Sequence, residues 1–431
     1  MIKDTNINYS IKRHIEEHVK ECIKQYQCVV LTGPRQVGKS TLIESILPSI
    51  GNYKIVKLDS TELINYAKTD PIAFFNEYQP PVFIDEVQKA PELFNYIKEL
   101  IDKHKQKSMF ILTGSESFEL IKGVGDTLST RAALIDLQSL SISEINGRAN
   151  FVFEPDYNKF LLRKCKQKTQ LEIFKDIING SMPDVINGSK TNLDTFYKTY
   201  IKSTLFKDIR EDVLNISNFE DFLNFLSLMA SLVGETLNYT SIARKVGVTP
   251  LTIKKWISAL KATGVIFFIN PYSNNALTRT IRSPKMYFWD TGLACYLTKF
   301  DDPDFLLKSD FAGHIFECYA ISEIAKGYLN AGKMLNMFYI KTIDPNNNKN
   351  NNTNFENHKN GEIDLIIEGK GGILYPIEIK MNMTPQFKYF ENIKLLSSIK
   401  NKKIAPMTLI CSVPSSQTLG PNKLVLPVYW L

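Results

Sequence analysis

The chain has 431 residues, of which 44% are hydrophobic and 23% are charged. This composition is typical of globular proteins and excludes a wholly disordered chain, while the length predicts about two to four domains. The six cysteines are scattered and form no C-x-x-C pair, which excludes a disulfide scaffold and favours reduced thiols. No apolar signal core opens the sequence, and no run reaches the roughly 18 apolar residues of a membrane span. We therefore expect a cytoplasmic protein without a membrane partner.

The net charge of +7 is unevenly distributed along the chain. Residues 1–150 hold 18 Lys and Arg against 19 Asp and Glu, a net charge of −1, whereas the other 281 residues hold 34 against 26, a net charge of +8. A polyanionic partner such as DNA would therefore meet the later two-thirds of the chain, although an excess this small also suits plain solubility.

The stretch "CVVLTGPRQVGKSTLIESIL" predicts a strand at 28–31, a glycine loop and then a helix. The loop fits the pattern G-x-x-x-x-G-K-[ST], in which backbone N–H groups surround the phosphates of a nucleotide. In this pattern Lys39 reaches the β- and γ-phosphates and the Ser40 hydroxyl binds Mg²⁺. The predicted ATP-binding residues are Gly33, Pro34, Arg35, Gln36, Val37, Gly38, Lys39, Ser40 and Thr41.

A second strand, in "PPVFIDEVQKAPELF", supplies acidic residues. Its buried run at 82–84 ends in Asp85 and Glu86, and parallel strands present ligands at their carboxyl ends. Asp85 is the expected second Mg²⁺ ligand. Glu86 is expected to orient and deprotonate the water that attacks ATP.

Two further strands complete this half of the chain. "MFILTGS" ends in Thr113 and Ser115, whose hydroxyls are candidates for contact with the γ-phosphate or the water, and "YKIVKLDS" ends in Asp59. Downstream, Arg131 is a candidate cation for the γ-phosphate, with a surface arginine as the alternative. Strands that alternate with helices predict a doubly wound α/β domain.

The sequence resembles prokaryotic AAA-superfamily ATPases fused to a conserved C-terminal domain of uncharacterised function. The resemblance begins near residue 15 and rests on motifs that follow in order. Relatives usually carry a glycine before the arginine that corresponds to Arg131, and here Thr130 stands in that place. The matching motifs are "LTGPRQVGKST", "KLDS", "TDPIAFF", "FIDEVQKAPELF", "ILTGS", "GSMPDV", "KMYFWDTGLACYL", "GHIFE", "GEIDLII" and "PIEIK".

The middle of the chain predicts helices and a DNA-binding motif. Residues 151–225 read as a helical linker or lid, in which Asp208 and Arg210 suggest no chemistry. The segment "NYTSIARKVGVTPLTIKKWISALKATGVIFFINPY" predicts helix, turn, helix and strand, as in a winged helix-turn-helix. Its second helix carries Lys254, Lys255 and Lys261 and would enter a major groove, or the fold serves as a spacer between proteins.

The C-terminal part predicts a β-hairpin that carries acidic residues. "GEIDLIIEG" and "GILYPIEIK" alternate as strands around a glycine turn, which brings Asp364 near Glu378 and Lys380. Upstream, "GHIFECYAISEIAKGYL" predicts a helix with Glu317 near its start. The order Glu, Asp and Glu-x-Lys resembles the restriction-endonuclease-like core.

That resemblance implies a second Mg²⁺ site with nuclease chemistry. Asp364 and Glu378 would hold the ion with the Ile379 carbonyl, Glu317 would complete the oxygen shell, and Lys380 would orient water or offset charge on the phosphorane. The alternative is an inert descendant in which Glu378 and Lys380 form a surface pair.

The fold class we predict is α/β throughout, with four parts: a P-loop AAA-type ATPase domain at 1–150, a helical linker or lid at 151–225, a winged helix-turn-helix at 226–275 and a restriction-endonuclease-like α/β domain at 276–431. The last part contains an asparagine-rich insertion at 344–360. The predicted function is ATP hydrolysis coupled to action on DNA, with Mg²⁺-dependent cleavage as an option. The alternative is a nucleotide-dependent switch whose later domains bind a protein partner, and a homo-oligomer stays open.

Overall fold

The computed structural model describes residues 11–115, 123–154, 163, 165–206, 209, 219–273, 283–341, 361–397, 399 and 401–431. Asp208, Arg210 and the asparagine-rich insertion lie outside the described residues. No helix in the described ranges is long and apolar enough to cross a membrane.

The N-terminal module is built on a five-stranded sheet. Its spatial order is β2-β3-β4-β1-β5, and every neighbouring pair is parallel. The three central strands are buried along their whole length, as expected of a parallel sheet with both faces covered. The strands are β1 (Cys28–Thr32), β2 (Lys54–Lys57), β3 (Val82–Asp85), β4 (Phe110–Thr113) and β5 (Ala132–Asp136).

Helices cover both faces of this sheet and form two separate hydrophobic cores. One core joins α1 and α2 to one face, and the other joins α3, α4 and α5 to the opposite face. The predicted doubly wound α/β arrangement is confirmed. The helices are α1 (Glu16–Gln25), α2 (Lys39–Ile50), α3 (Thr61–Thr69), α4 (Pro71–Glu77) and α5 (Leu93–His104).

A group of helices follows the first module. The short helix α6 begins with a capping box, in which the Ser141 side chain accepts from the backbone of Glu144 and the Glu144 carboxylate accepts from the backbone of Ser141. The helices of this region are α6 (Ile142–Ile145), α7 (Gln170–Asn179), α8 (Pro183–Ile186), α9 (Leu193–Thr199), α10 (Phe219–Ser231), α11 (Tyr239–Val246) and α12 (Pro250–Ala262).

The predicted helix-turn-helix is formed by α11 and α12. Gly247 ends α11 in the left-handed conformation at φ 83°, and Thr249 caps α12 by accepting from the backbone of Thr252, with Pro250 at the first helical position. The antiparallel strands β6 (Ile266–Pro271) and β7 (Lys285–Phe288) follow.

The C-terminal module contains an eight-stranded mixed sheet in the order β12-β13-β11-β10-β9-β8-β6-β7. The predicted hairpin is confirmed, because β9 and β10 pair antiparallel. The remaining strands are β8 (Met337–Lys341), β9 (Glu362–Glu368), β10 (Leu374–Ile379), β11 (Met407–Cys411), β12 (Gln417–Thr418) and β13 (Lys423–Pro427). Three further helices accompany them: α13 (Thr291–Leu297), α14 (Pro303–Leu307) and α15 (Ala312–Asn330).

The predicted boundary at residues 275 and 276 lies outside the described residues, between β6 and β7 along the chain. Strand β6 pairs with β7 on one side and with β8 on the other, and the Tyr272 amide donates to the Tyr339 carbonyl at 2.7 Å. One hydrophobic core extends from Ile142 to Leu431. The helix-turn-helix and the carboxylate-bearing hairpin are therefore built on one continuous sheet, which the sequence pattern did not indicate.

Candidate functional site

The nucleotide loop joins the carboxyl end of β1 to the first residue of α2. Gly33 adopts a φ of 140°, and a Cβ atom at this position would lie 2.0 Å from the Leu137 carbonyl oxygen. Gly38 adopts a φ of 91° directly before α2. These two positions require glycine because of close backbone approach and left-handed geometry. The loop backbone is thus free to face a ligand at the positive end of a helix.

The lysine of the loop is buried, with 6% of its surface exposed. Its Nζ donates to the carbonyl oxygens of Gly33 and Pro34, each at 2.8 Å. The structure therefore places the Lys39 ammonium directly under the loop, where the sequence pattern expects a phosphate-binding charge.

Ser40, Asp85 and Thr113 meet at the edge of the sheet. The Ser40 hydroxyl donates to Asp85 Oδ1 at 2.8 Å, and the Thr113 hydroxyl donates to the same oxygen. They converge because α2, β3 and β4 present these positions at the carboxyl edge of one parallel sheet. The predicted Mg²⁺ ligands Ser40 and Asp85 are thus brought together.

Glu86 and Ser115 are linked by a residue that the sequence analysis missed. Gln88 Nε2 donates to Glu86 Oε2 at 2.5 Å and contacts Ser115 Oγ at 3.1 Å. Glu86 itself has a φ of 59°, which turns its side chain away from that of Asp85. The buried Gln88 Oε1 makes no hydrogen bond to the described residues. This group is suited to orient a water molecule.

Arg131 does not lie in this group. It stands immediately before β5, and Ala132 pairs with Cys28 at the amino edge of the sheet, opposite the loop. Its guanidinium binds Asp102, with Nε–Oδ1 at 2.6 Å and Nη2–Oδ2 at 3.2 Å. A strand of five residues, rising roughly 3.3 Å each, separates it from the loop. The structure therefore does not place Arg131 at the phosphates of its own loop.

Arg13 is a second residue that the sequence analysis missed. It is 7% exposed and donates to the carbonyls of Val37 and Gln138, each at 2.8 Å, and to Glu144 Oε1 at 3.0 Å. Burial pushes the Glu144 pKa upward, but the charge of Arg13 and two backbone N–H donors hold it below its usual value. Arg13 therefore joins the loop to Gln138 and Glu144 through hydrogen bonds.

A cleft of about 400 Å³ opens beside the loop. The loop contributes Gln36, Val37, Gly38 and Thr41 to its lining. The N-terminal segment and helix α8 form the opposite wall. Among the predicted loop residues, these are the ones positioned to contact the parts of a nucleotide beyond its phosphates.

The carboxylates of the C-terminal hairpin are brought together around a lysine. Lys380 Nζ lies 3.0 Å from Asp364 Oδ2 and 2.8 Å from Glu378 Oε1. The Ile379 N–H donates to Asp364 Oδ2 at 2.8 Å. Both acids are nearly buried, whereas the Lys380 side chain is one-third exposed.

Glu317 belongs to a neighbouring set of contacts, which the sequence analysis also missed. Its Oε1 accepts from the Tyr287 hydroxyl at 2.6 Å and from Lys285 Nζ at 3.2 Å. Lys285 also pairs with Glu362, which in turn binds Lys341 at 3.2 Å. Lys285 and Tyr287 come from β7, so only the long-range pairing of the sheet reveals them.

Comparison with known proteins addresses the first of these sites. Residues 25–146 match the AAA domain. This range contains the whole loop and its acidic partners. Residues 171–304 match a domain of unknown function (DUF8612) and residues 312–431 match another (DUF4143).

Two relatives are similar over much of the chain. The uncharacterized protein Rv2008c of Mycobacterium tuberculosis is 24% identical over 374 residues, which cover 87% of this chain and 75% of that protein. The uncharacterized protein MJ1637 of Methanocaldococcus jannaschii is 22% identical over 303 residues, which cover 62% of this chain and 63% of that protein.

Solved structures that match include DnaA from Aquifex aeolicus bound to AMPPCP and the RuvB Holliday junction branch migration motor of Thermotoga maritima. DnaA has a TM-score of 0.29 and 14% identity, and it covers 57% of this chain and 86% of its own. RuvB has a TM-score of 0.27 and 15% identity, and it covers 59% of this chain and 88% of its own.

The residues at the edge of the AAA domain sheet fit a magnesium ion. The set offers the Ser40 hydroxyl and a carboxylate whose Oδ1 already accepts from two hydroxyls, so every ligand is the hard oxygen that Mg²⁺ prefers.

Lysines lie among the C-terminal acids. Lys380 pairs with Asp364 and Glu378, while Lys285 and Tyr287 contact Glu317. Among the described residues, no group of three or more His, Cys, Asp or Glu side chains is arranged to hold a metal ion. The second magnesium site at these acids stays a prediction.

Burial leaves this cluster with displaced pKa values. Burial, together with the charge of Asp364, raises the pKa of Glu317 to about 7 and that of Glu378 to about 8, against the opposing effect of the lysines.

Proposed function

We propose that the protein hydrolyses ATP in its AAA domain and uses the nucleotide to act on DNA. The observation that carries the proposal is the convergence of Ser40, Asp85 and Thr113 beside a loop whose lysine lies beneath two loop carbonyls. An AAA domain match over 25–146 supports it.

Each residue of the AAA domain has a proposed task. Lys39 binds the β- and γ-phosphates, and the loop N–H groups bind the remaining phosphate oxygens. Glu86 accepts the proton of the attacking water, and Gln88 and Ser115 keep Glu86 in place. Ser40 and Asp85 would hold Mg²⁺, whose charge offsets that of the phosphates.

The DNA part of the proposal rests on the helix-turn-helix. Helix α12 buries Ile253, Trp256 and Leu260 and exposes Lys254 and Lys255 to solvent. Such a basic face suits the phosphates that flank a major groove. The exposed basic residues of α11 and α12 are Arg244, Lys245, Lys254, Lys255 and Lys261.

A second candidate function is a nucleotide-dependent switch that binds a protein partner and cuts nothing. The neutralisation of Asp364 and Glu378 by Lys380 favours it over a nuclease, because these acids already have an internal cation.

ATP turnover measured with and without single-stranded, duplex and branched DNA tests the proposal. We expect Mg²⁺-dependent turnover that DNA stimulates, and loss of turnover in Glu86→Gln with nucleotide binding retained. We also expect the double variant Lys254→Ala, Lys255→Ala to lower the salt slope of duplex binding by about 2.

The double variant Lys103→Ala, Lys107→Ala is the matched control, since it removes two exposed lysines from the AAA domain. It should leave the salt slope unchanged. ATP turnover that does not change when DNA is added, together with no salt-dependent DNA binding, would favour the nucleotide-dependent switch. A protein that neither binds nor hydrolyses ATP would overturn both functions.

A further inference from the structure

Two motifs that the nucleotide site leaves unused, "GSMPDV" and "KMYFWDTGLACYL", meet in the interior of the protein. Asp290, 7% exposed, caps helix α13. Its Oδ2 accepts from the Leu293 amide at 2.9 Å and the Tyr197 hydroxyl at 2.8 Å. Its Oδ1 accepts from the Ser181 amide at 2.6 Å and the Ser181 hydroxyl at 3.1 Å. The carboxylate therefore uses both oxygens to join two separate segments.

The approach of these segments depends on glycine. A Cβ atom on Gly180 would lie 2.4 Å from Asp290 Oδ1, and one on Gly292 would lie 2.2 Å from the Tyr197 hydroxyl. Gly180 also has a φ of 70°. The backbone is thus shaped to bring Ser181 onto the carboxylate.

Ser181 continues the connection to residues 137–140, which we call the strap. The Leu140 amide donates to the Ser181 carbonyl at 2.9 Å, and the hydroxyls of Ser139 and Ser181 lie 2.8 Å apart. Lys326 of α15 donates to the Leu140 carbonyl at 3.1 Å and to the Ser181 hydroxyl at 3.0 Å. The C-terminal module therefore holds the strap through two of its helices.

A buried ion pair completes this attachment. Lys326 lies 2.9 Å from Glu323, and the Glu323 carboxylate accepts from the Ile142 amide at 2.6 Å, just beyond the strap. Both side chains of the pair are about 2–3% exposed. The buried charges of Lys326 and Glu323 therefore neutralise each other, which offsets the cost of removing them from water.

The strap also touches the nucleotide loop. The Leu137 amide donates to the Thr32 carbonyl at 2.9 Å, and the Leu137 carbonyl occupies the space that a Gly33 side chain would need. Pro34 of the loop borders the same small void as Trp289 and Asp290. A conformational change in the loop would therefore alter its contacts with the strap and the void that it shares with Asp290.

Nucleotide binding is expected to change the hydrogen bonds of the loop. Lys39 donates to the carbonyls of Gly33 and Pro34, and a phosphate would compete for the same ammonium. We propose that Asp290 is a positioning residue for the nucleotide loop, which it holds through Ser181 and the strap, so that nucleotide binding and the packing of the C-terminal helices are linked. This inference rests on the proposed binding of ATP.

The variant Asp290→Asn tests it. Asparagine caps a helix as well as aspartate does, but its side chain has one acceptor oxygen where the carboxylate has two. The variant can therefore accept from Leu293 and Tyr197 or from Ser181, but not from both sides at once. Asp302→Asn is the matched control, because Asp302 also caps a helix of this module, α14, by accepting from the Phe305 amide at 2.7 Å. Ser181→Ala is a milder second variant, which leaves the cap of α13 intact.

Hydrogen exchange is measured with and without Mg²⁺ and a non-hydrolysable ATP analogue, together with ATP kinetics. In the native protein and in Asp302→Asn, the analogue should slow exchange in peptides from 287–297 and 319–330 by at least threefold. In Asp290→Asn and Ser181→Ala this slowing should be lost while the analogue still saturates the loop. Their kcat should fall about fivefold, with KM for ATP changed less than twofold.

Native-like slowing and kcat in both variants would overturn the inference, as would analogue binding by the native protein with no response in these peptides. Failure of the native protein to bind the analogue at all would instead remove the proposed ATPase. Should Asp290→Asn fail to fold, as judged by its melting curve, the result with Ser181→Ala decides.

Discussion

The nucleotide loop and the C-terminal carboxylate cluster use similar side chains in opposite ways. In the AAA domain one buried lysine is held by neutral carbonyls, and one carboxylate by hydroxyls. In the C-terminal cluster each buried acid faces a lysine. The Asp85 carboxylate accepts from neutral hydroxyls and keeps its charge for a cation, whereas Lys380 offsets the charges of Asp364 and Glu378. This contrast supports the proposed binding of Mg²⁺ and nucleotide in the first region.

The largest effect should come from Lys39→Ala. Removal of the ammonium takes away a charge that the phosphates meet in the transition state, so ATP turnover should fall by about 100-fold or more. Phosphate release at saturating ATP and Mg²⁺ measures this. Lys57→Ala, a half-exposed lysine that pairs with Glu44 at 2.6 Å, is the control and should retain full turnover. Equal rates in the two variants would contradict a binding role for the loop lysine.

A smaller effect is expected from Lys380→Ala, measured as the free energy of unfolding in urea. The variant leaves Asp364 and Glu378 buried without their cation, which should lower the free energy of unfolding by about 2 kcal/mol. This value lies below the usual cost of breaking a buried ion pair because the Lys380 side chain is one-third exposed. Lys402→Ala removes an ion pair with Glu368, an acid that is 20% exposed where Asp364 and Glu378 are 6% and 5% exposed, and should cost below about 1 kcal/mol. Similar values for both variants would show that the cluster does not depend on its lysine.

The cluster should also make the free energy of unfolding depend on pH. The folded pKa of Glu378, about 8, lies above the usual value of 4.5, so its proton stabilises the folded state fully below pH 4.5, and this contribution is lost as pH rises through about 8. In EDTA, Glu378 alone should therefore lower the free energy of unfolding between pH 5 and 8 by at most about 1.4 kcal/mol per pH unit, and Glu317, with a pKa of about 7, adds to this decline.

Glu378→Gln should flatten this decline, because glutamine has no proton to lose. Glu391→Gln, an exposed acid in the same module, should keep the native slope. If the native protein and Glu378→Gln decline in parallel, the cluster does not retain its proton and the comparison of the two regions loses its electrostatic basis.

The grouping of Ser40 and Asp85 beside the glycine loop could be predicted from the sequence because its parts are local or topological. Gly33 to Ser40 are contiguous, and Asp85 ends a parallel strand, so both had to reach the same edge of the sheet. Arg131 precedes a strand, and the same rule places it at the opposite edge. There its guanidinium contacts Asp102.

The partners of the C-terminal acids could not be predicted in the same way. The hairpin that joins Asp364 to Glu378 has a short turn, and its pairing was confirmed. Lys285 and Tyr287, in contrast, reach Glu317 from the far edge strand of the eight-stranded sheet. Which strands become neighbours across such separations depends on packing of the whole module, and no local pattern records it.

Strand β6 has a mechanical consequence. Strand β6 follows α12 and is hydrogen-bonded to a neighbouring strand on each side. The helix-turn-helix is therefore joined to the sheet by a paired strand and not by a flexible linker. Any movement of β6 would have to carry its paired strands β7 and β8 with it. Under the proposed function, DNA bound by α12 would therefore keep its orientation to this sheet.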